Sequence, residues 1–181
     1  MACNLATIAL KVVRSNDPTY LRWNEFDSRG ADTLQVKGQA TLNATRDRVW
    51  STLLSAEALQ HCLPGCRKFQ EIAPYEWEAT MSIGMAGIKG TYAGKVKITD
   101  QVPQTSYRFA VEGAGGGNRI RGTGVVSLSD GADGSTLVNY EGDGQISGIL
   151  AAVGQRLFQP AARTLAEQFF KCMGTQVAPV A

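Results

Sequence analysis

Histidine occurs once in the 181 residues of this chain, at His61, and that scarcity removes several chemistries. A nucleophilic pair needs a base held beside a serine or cysteine. A lone histidine just before a Leu-Pro-Gly turn allows no triad to be proposed. Metal ligands are equally thin. His61-Cys62-Leu63-Pro64-Gly65-Cys66 is the densest group, but a structural zinc site takes about four such ligands, and no second Cys/His pair follows. The expectation is no catalytic residue, no metal and no cofactor, with the Cys62–Cys66 segment a turn carrying small, half-buried thiols.

Charge imbalance is lacking too. Eighteen basic and sixteen acidic residues leave a formal net charge of +2, too small to point to nucleic acid or an anionic membrane. Long apolar runs are absent: Leu5–Leu10 is far short of the ~20 residues of a membrane span. It has no basic residue before it, so it is also a poor signal peptide. The four cysteines (Cys3, Cys62, Cys66, Cys172) are scattered, and without a secretory signal they are expected to be reduced thiols in a cytoplasm. A glycine-rich stretch, Gly113-Ala114-Gly115-Gly116-Gly117, joins two strands rather than a strand and a helix, which makes it a hairpin loop rather than a phosphate cradle.

What the chain has is alternation. Residues 1–32 carry no clear pattern and read as an N-terminal extension of unknown role. From Leu34, Val36, Gly38, Ala40 and Leu42 alternate with polar residues, a half-buried strand. Two short helices follow, Arg46 to Leu54 capped by Thr45, and about Ala56 to Cys62. Six more strands then come at the spacing of a meander. Their inward faces are expected to carry Tyr75, Trp77, Ala79, Met81 and Ile83; Tyr92, Val96 and Ile98; Tyr107, Phe109 and Val111; Ile120, Val126 and Leu128; and Val138 and Tyr140. Glu76 and Glu78 fall outward, offset by Lys95 and Lys97, and Arg119 and Arg121 are also outward. A hairpin turn placed midway between Ile83 and Ile88 sets Trp77 opposite Gly94 and Met81 opposite Gly90.

The chain then turns helical, from Ser147 to Met173. Ile146, Leu150, Val153, Leu157, Ala161, Leu165, Phe169 and Cys172 form its apolar stripe, and Arg156, Gln159, Arg163, Glu167 and Lys171 lie opposite. Pro160 interrupts this helix, and a bend is expected at Arg156–Pro160, either to follow a curved sheet or as a hinge at a cavity mouth. The fold class is therefore α+β: a seven-stranded antiparallel curved sheet wrapped around a long C-terminal helix, with two short helices after strand one, the helix-grip arrangement. The domain spans 33–175, with a short tail at 176–181.

Seven glycines share the inward parity: Gly38, Gly90, Gly94, Gly113, Gly122, Gly124 and Gly142. They can serve sheet curvature and cross-strand aromatics, or leave volume for a ligand. A ligand there would be mostly apolar and would meet Trp50, Trp77, Met81, Tyr92, Tyr107, Phe109 and Tyr140. From the helix it would meet Leu150, Val153, Gly154, Leu157, Phe158, Ala161 and Leu165.

Four stretches carry a resemblance. They are Val49-Trp50, Cys62-Leu63-Pro64-Gly65-Cys66, Gly87-Ile88-Lys89-Gly90-Thr91-Tyr92-Ala93-Gly94-Lys95-Val96 and Ala166-Glu167-Gln168-Phe169-Phe170. Over about Leu34 to Met173 the chain resembles the carbon-monoxide dehydrogenase G-subunit family of the SRPBCC (START-like) superfamily. The resemblance implies a helix-grip fold with a hydrophobic cavity under the last helix. It also implies a non-enzymatic accessory role beside a molybdenum hydroxylase partner, binding a hydrophobic small molecule such as a quinone or lipid-like compound. Many relatives continue into a longer apolar tail than Val177-Ala178-Pro179-Val180-Ala181, so membrane contact is expected to be at most peripheral to the inner membrane. The alternatives are an assembly or docking subunit acting through its surface, and a cyclase- or hydrolase-like enzyme.

Overall fold

The computed structural model describes residues 32–85, 88–149, 151 and 155–177. The expected extension therefore lies outside the described residues, apart from Asp32, which opens the first strand.

Seven strands form one antiparallel sheet: β1 (Asp32–Leu42), β2 (Cys66–Ala73), β3 (Glu76–Met85), β4 (Ile88–Val102), β5 (Ser106–Gly115), β6 (Asn118–Asp130) and β7 (Thr136–Gly148). Their order is β1-β7-β6-β5-β4-β3-β2, so the meander runs from β2 to β7 and β1 returns to pair with β7. Two short helices, α1 (Arg46–Leu53) and α2 (Ala56–Cys62), separate β1 from β2, and α3 (Gln155–Val177) follows β7. This is the helix-grip fold expected from the alternation. In β1, Leu34, Val36, Gly38 and Ala40 are half-buried while Gln35, Lys37, Gln39 and Thr41 are exposed, as the two-residue period requires.

The sheet is strongly curved, and glycine makes the curvature sterically feasible. A Cβ on Gly94 would collide with the backbone carbonyl of Glu112 on the neighbouring strand. Gly38 and Gly124 act differently: the ring of Tyr140 lies across the first and that of Phe109 across the second, each filling the place of a missing side chain. Bulges at Cys66/Lys68 and Glu71/Ala73 in β2, and between Thr99 and Val102 in β4, add bending toward one end.

Several expectations need correction. The β3–β4 pairing is two residues away from the expected register: Trp77 faces Val96, Ala79 faces Gly94 and Met81 faces Tyr92. An even shift leaves every side chain on its face, so the inward set is unchanged. Tyr75 is not on that face; it sits exposed in the β2–β3 turn with φ of 61°. Ile146 and Ser147 belong to β7, with Ile146 buried opposite Ile120, so α3 begins at Gln155 and runs on to Val177. The helix is continuous through Pro160, which is exposed on its outer side with Gln159, Arg163, Glu167 and Lys171. Thr45 occupies the N-cap of α1 without a side-chain bond, whereas Ser55 caps α2 by accepting from the Ala58 amide at 3.3 Å. Cys62 and Cys172 are not reduced thiols: they form a disulfide with Cα atoms 5.3 Å apart.

The C-terminal half of α3 is held firmly. Phe170, Met173 and Val177 enter the main core with Val49, Leu53, Trp77 and Val138. Arg48 Nε donates to the Val177 carbonyl at 2.7 Å, satisfying an acceptor at the helix end and placing positive charge by its negative pole. The disulfide closes a separation of 110 residues, which in the chain-entropy account stabilises by about 4–5 kcal/mol. The opposite end of α3 rests on a smaller cluster, where Phe158 packs with Tyr92 and Ile146 against Leu34, Met81, Ile83 and Ile120.

Two alanine substitutions separate curvature from mere glycine content. Gly94→Ala forces the Glu112 carbonyl to move and should cost about 1–3 kcal/mol. Gly84→Ala meets open space and should stay within about 0.5 kcal/mol of wild type. Urea unfolding of both proteins measures the difference, and equal stabilities would contradict this account of the sheet.

Candidate functional site

Between the two ends of α3 lies a cavity of about 490 Å3. Its roof is α3 itself, through Leu165, Ala166, Phe169 and Phe170. Its floor is the middle of the sheet, with Val96, Ile98, Val111 and Val126. Val36, Tyr140 and Gly142 close the β1–β7 side. The rim is the α2–β2 turn, Leu63-Pro64-Gly65, together with Ser82, Ile83 and Gly84 near the end of β3. Gly65 and Gly84 are exposed, so the cavity reaches the surface there. The rim turn is locked in place: the Ser82 amide donates to the Gly65 carbonyl at 2.7 Å, and Gly65 adopts φ of 79°, which favours glycine.

Of the residues expected to meet a ligand, five line this cavity: Met81, Tyr107, Phe109, Tyr140 and Leu165. Trp50 stands behind the wall, edge-on to Tyr107 with ring centroids 5.7 Å apart. Trp77 is in the core, stacked at 5.6 Å on Phe69, which itself faces the cavity. Tyr92 and Phe158 form the cluster beyond the cavity's far end, and Ala161 is half-buried on α3 without lining it. Leu150, Val153 and Gly154, and the side chain of Leu157, lie outside the described residues. Glycine contributes less to the hollow than its inward parity implies, because of the seven inward glycines only Gly142 lines the cavity. The volume comes instead from aliphatic positions that fall short of the helix. Val36, Val96 and Val111 had the right parity in the sequence, and the Leu63–Gly65 rim lay in the turn read only as structural.

Polar groups in the cavity are few. Tyr107 is the most deeply placed, 6% exposed, and no hydrogen bond joins its hydroxyl to any described residue. Burial pushes its ionisation above the ordinary tyrosine range, so at neutral pH it is a neutral donor. Tyr140, half-buried, stacks on Phe170 at 4.7 Å and extends its hydroxyl over Gly38. Glu141 touches the boundary but belongs to the exposed face of β7, and His61 is exposed on α2. No group of three or more His, Cys, Asp or Glu suited to a metal occurs among the described residues. No described helix is long and apolar enough to cross a membrane.

The buried phenol has a measurable signature. An unfolded tyrosine ionises near pH 10, whereas Tyr107 in the fold holds its proton to higher pH. Above about pH 10 the unfolded state therefore binds fewer protons, and stability falls as pH rises, by at most about 1.4 kcal/mol per pH unit. Tyr107→Phe should remove that part of the alkaline loss while leaving the neutral-pH slope unchanged. Chemical denaturation of both proteins between pH 8 and pH 11, chosen to bracket the phenol's usual range of about 10, checks it; parallel curves would contradict the burial assignment.

Comparison with known proteins agrees with this architecture. The family model for the carbon monoxide dehydrogenase G subunit (CoxG) matches residues 38–178. A conserved protein from Geobacillus kaustophilus superposes with a TM-score of 0.76 at 31% identity, over 79% of this chain and 94% of that one. An uncharacterised protein from Rhizobium leguminosarum gives 0.61 at 17% identity, over 81% and 95% of the two chains. Norcoclaurine synthase from Thalictrum flavum gives 0.59 at 12% identity, over 83% and 89%, a likeness of fold alone. Among curated protein sequences there is no match. With the family model covering the helix-grip domain from within β1 to the end of α3, the chain belongs to the CoxG family of carbon monoxide dehydrogenase subunits, within the START-like fold.

Proposed function

We propose that the protein binds an apolar or amphipathic small molecule, of the quinone or lipid-like class, in the cavity under α3. In this reading it performs no chemistry on that molecule and serves as an accessory to a molybdenum hydroxylase of the carbon monoxide dehydrogenase type. The observation that carries the reading is the cavity's composition: aliphatic and aromatic walls around the largely buried Tyr107, whose hydroxyl has no hydrogen bond to any described residue. The family's own name supplies the enzyme class.

Magnitudes support a cavity built to be filled. Sealed and empty, about 490 Å3 of apolar hollow would cost on the order of 12 kcal/mol at ~24 cal/mol per Å3. That equals the whole stability of an ordinary domain. Side-chain collapse would remove the hollow, but Phe109, Tyr140 and Phe169 are already engaged, the first over Gly124 and the other two against Phe170. Because the hollow opens at Gly65 and Gly84 it is not sealed, and an apolar guest entering there would gain by taking the apolar walls out of contact with water; the volume suits a compact ligand. Met81, Phe109 and Leu165 would contact its body, and the Tyr107 hydroxyl would donate to a carbonyl or hydroxyl on it. A cyclase- or hydrolase-like activity draws less support. It needs an acid or base inside, whereas the carboxylate and histidine nearest the cavity are exposed.

Native mass spectrometry and organic extraction of the purified protein test the reading, followed by titration with decylubiquinone. Val111→Trp should fill the floor and weaken binding at least tenfold. Tyr107→Phe should weaken it about three- to tenfold, the worth of one hydrogen bond. Arg119→Glu, on the exposed face, should change nothing. Equal affinity of the Val111→Trp protein and wild type would sink the proposal.

A further inference from the structure

Two walls of the cavity meet at the disulfide. Cys62 ends α2, and the next three residues, Leu63-Pro64-Gly65, are the rim. Cys172 follows Phe169 and Phe170, the last two roof residues of α3. The bond thus ties the entrance turn to the roof across a sequence separation of 110 residues. Its two sulfurs differ in access: Cys62 is 3% exposed, while Cys172 is half-buried on α3, so an incoming thiol meets the bond from the Cys172 side. A third cysteine, Cys66, closes the rim turn, with its Sγ donating to the Lys68 carbonyl at 3.4 Å. Burial raises that thiol's ionisation, which keeps it protonated and a poor internal competitor in exchange.

We propose that Cys62–Cys172 is a reversible thiol latch on the cavity, closed by oxidation and opened by a dithiol or glutathione-class reductant, so that thiol redox state sets ligand affinity. The proposal rests on the ligand-binding reading above. On opening, a reductant thiolate attacks Cys172 Sγ, the S–S bond breaks and Cys62 leaves as a thiolate. A second reductant thiolate then displaces Cys172 from the mixed disulfide, and the two cysteines have gained two electrons from a reductant that departs as its own disulfide. Closure is the reverse, with an oxidised disulfide of the same class as acceptor.

The consequence for binding is geometric. With the bond closed, the rim and the roof cannot separate, so the entrance and the helix above it are held in one arrangement before a ligand arrives. With it open, noncovalent contacts of Phe170, Met173 and Val177 and the Arg48 cap hold α3, while the rim is free to move away from the roof, and a ligand must bear the cost of reordering it. Affinity should fall at least fivefold on reduction.

The test uses the full chain in glutathione buffers of graded ratio. Free thiols are counted by alkylation and mass spectrometry, folding is followed by circular dichroism, and the apolar dye N-phenylnaphthylamine is the probe. Opening within the glutathione range, a retained fold and at least fivefold weaker dye binding support the latch, and Cys62→Ala with Cys172→Ala should reproduce the weak state. If that variant fails to fold, reduced wild type carries the comparison. A bond that resists reduced glutathione, a reduced protein that unfolds, or equal dye affinity in both states overturns the latch and leaves the carrier reading standing. No dye binding in either state overturns both.

Discussion

A single helix must cover a seven-stranded sheet, and the rest of the structure follows from that mismatch. Strands spaced ~4.8 Å apart make such a sheet about 29 Å across, whereas a helix with its side chains is about 10–12 Å wide. A flat sheet would leave most of its apolar face in water. The chain resolves this by curling the sheet, with close backbone approach at Gly94 and with bulges in β2 and β4, until the concave face wraps the helix. Curling does not make the two surfaces match along their whole length. Contact is dense where α1 and α2 help at one end, and it is restored at the other by Phe158 against Tyr92 and Ile146. The cavity is the part of the mismatch that remains between them.

That arrangement assigns distinct work to the two ends of α3. Its last turns are held by buried Met173 and Val177, by the Arg48 guanidinium on a terminal carbonyl and by the bond from Cys172 to α2. Its first turns are held, among the described residues, by buried Phe158 and by the Gln159 side-chain amide donating to the Gln35 carbonyl of β1 at 3.2 Å. A roof fixed at one end and lightly seated at the other keeps the hollow from collapsing while leaving it accessible beside the α2–β2 turn. The small side chain of Ala166 fits the same logic, since a bulkier one at that roof position would fill the space beneath the helix.

Much of this was legible in the sequence, because the two-residue period of strands survives errors of register. Trp77, Met81, Tyr107 and Phe109 were placed on the inward face even though the β3–β4 pairing was two residues off. The start of α3 was not legible. Ile146 continues the parity of Tyr140 and Gly142, yet it also stands four residues before Leu150 on a helical stripe, so both periods fit it. The disulfide was hidden by its 110-residue separation and by a compartment argument that favoured free thiols. The glycines misled more subtly. Several mark where a ring or a neighbouring backbone takes up the space, as at Gly38, Gly124 and Gly94, and the hollow is bounded instead by valines whose role depends on how far the helix stands from them.

The central claim is that the space under α3 is a binding site rather than a packing remainder. Methyl-resolved nuclear magnetic resonance of the protein with decylubiquinone tests it most directly. The account predicts intermolecular contacts from the ligand to the methyl groups of Val96, Val111, Met81 and Leu165, with those of exposed Ile72 and Val102 unaffected. Contacts confined to Ile72 and Val102, or no contact with any methyl group lining the cavity, would contradict it.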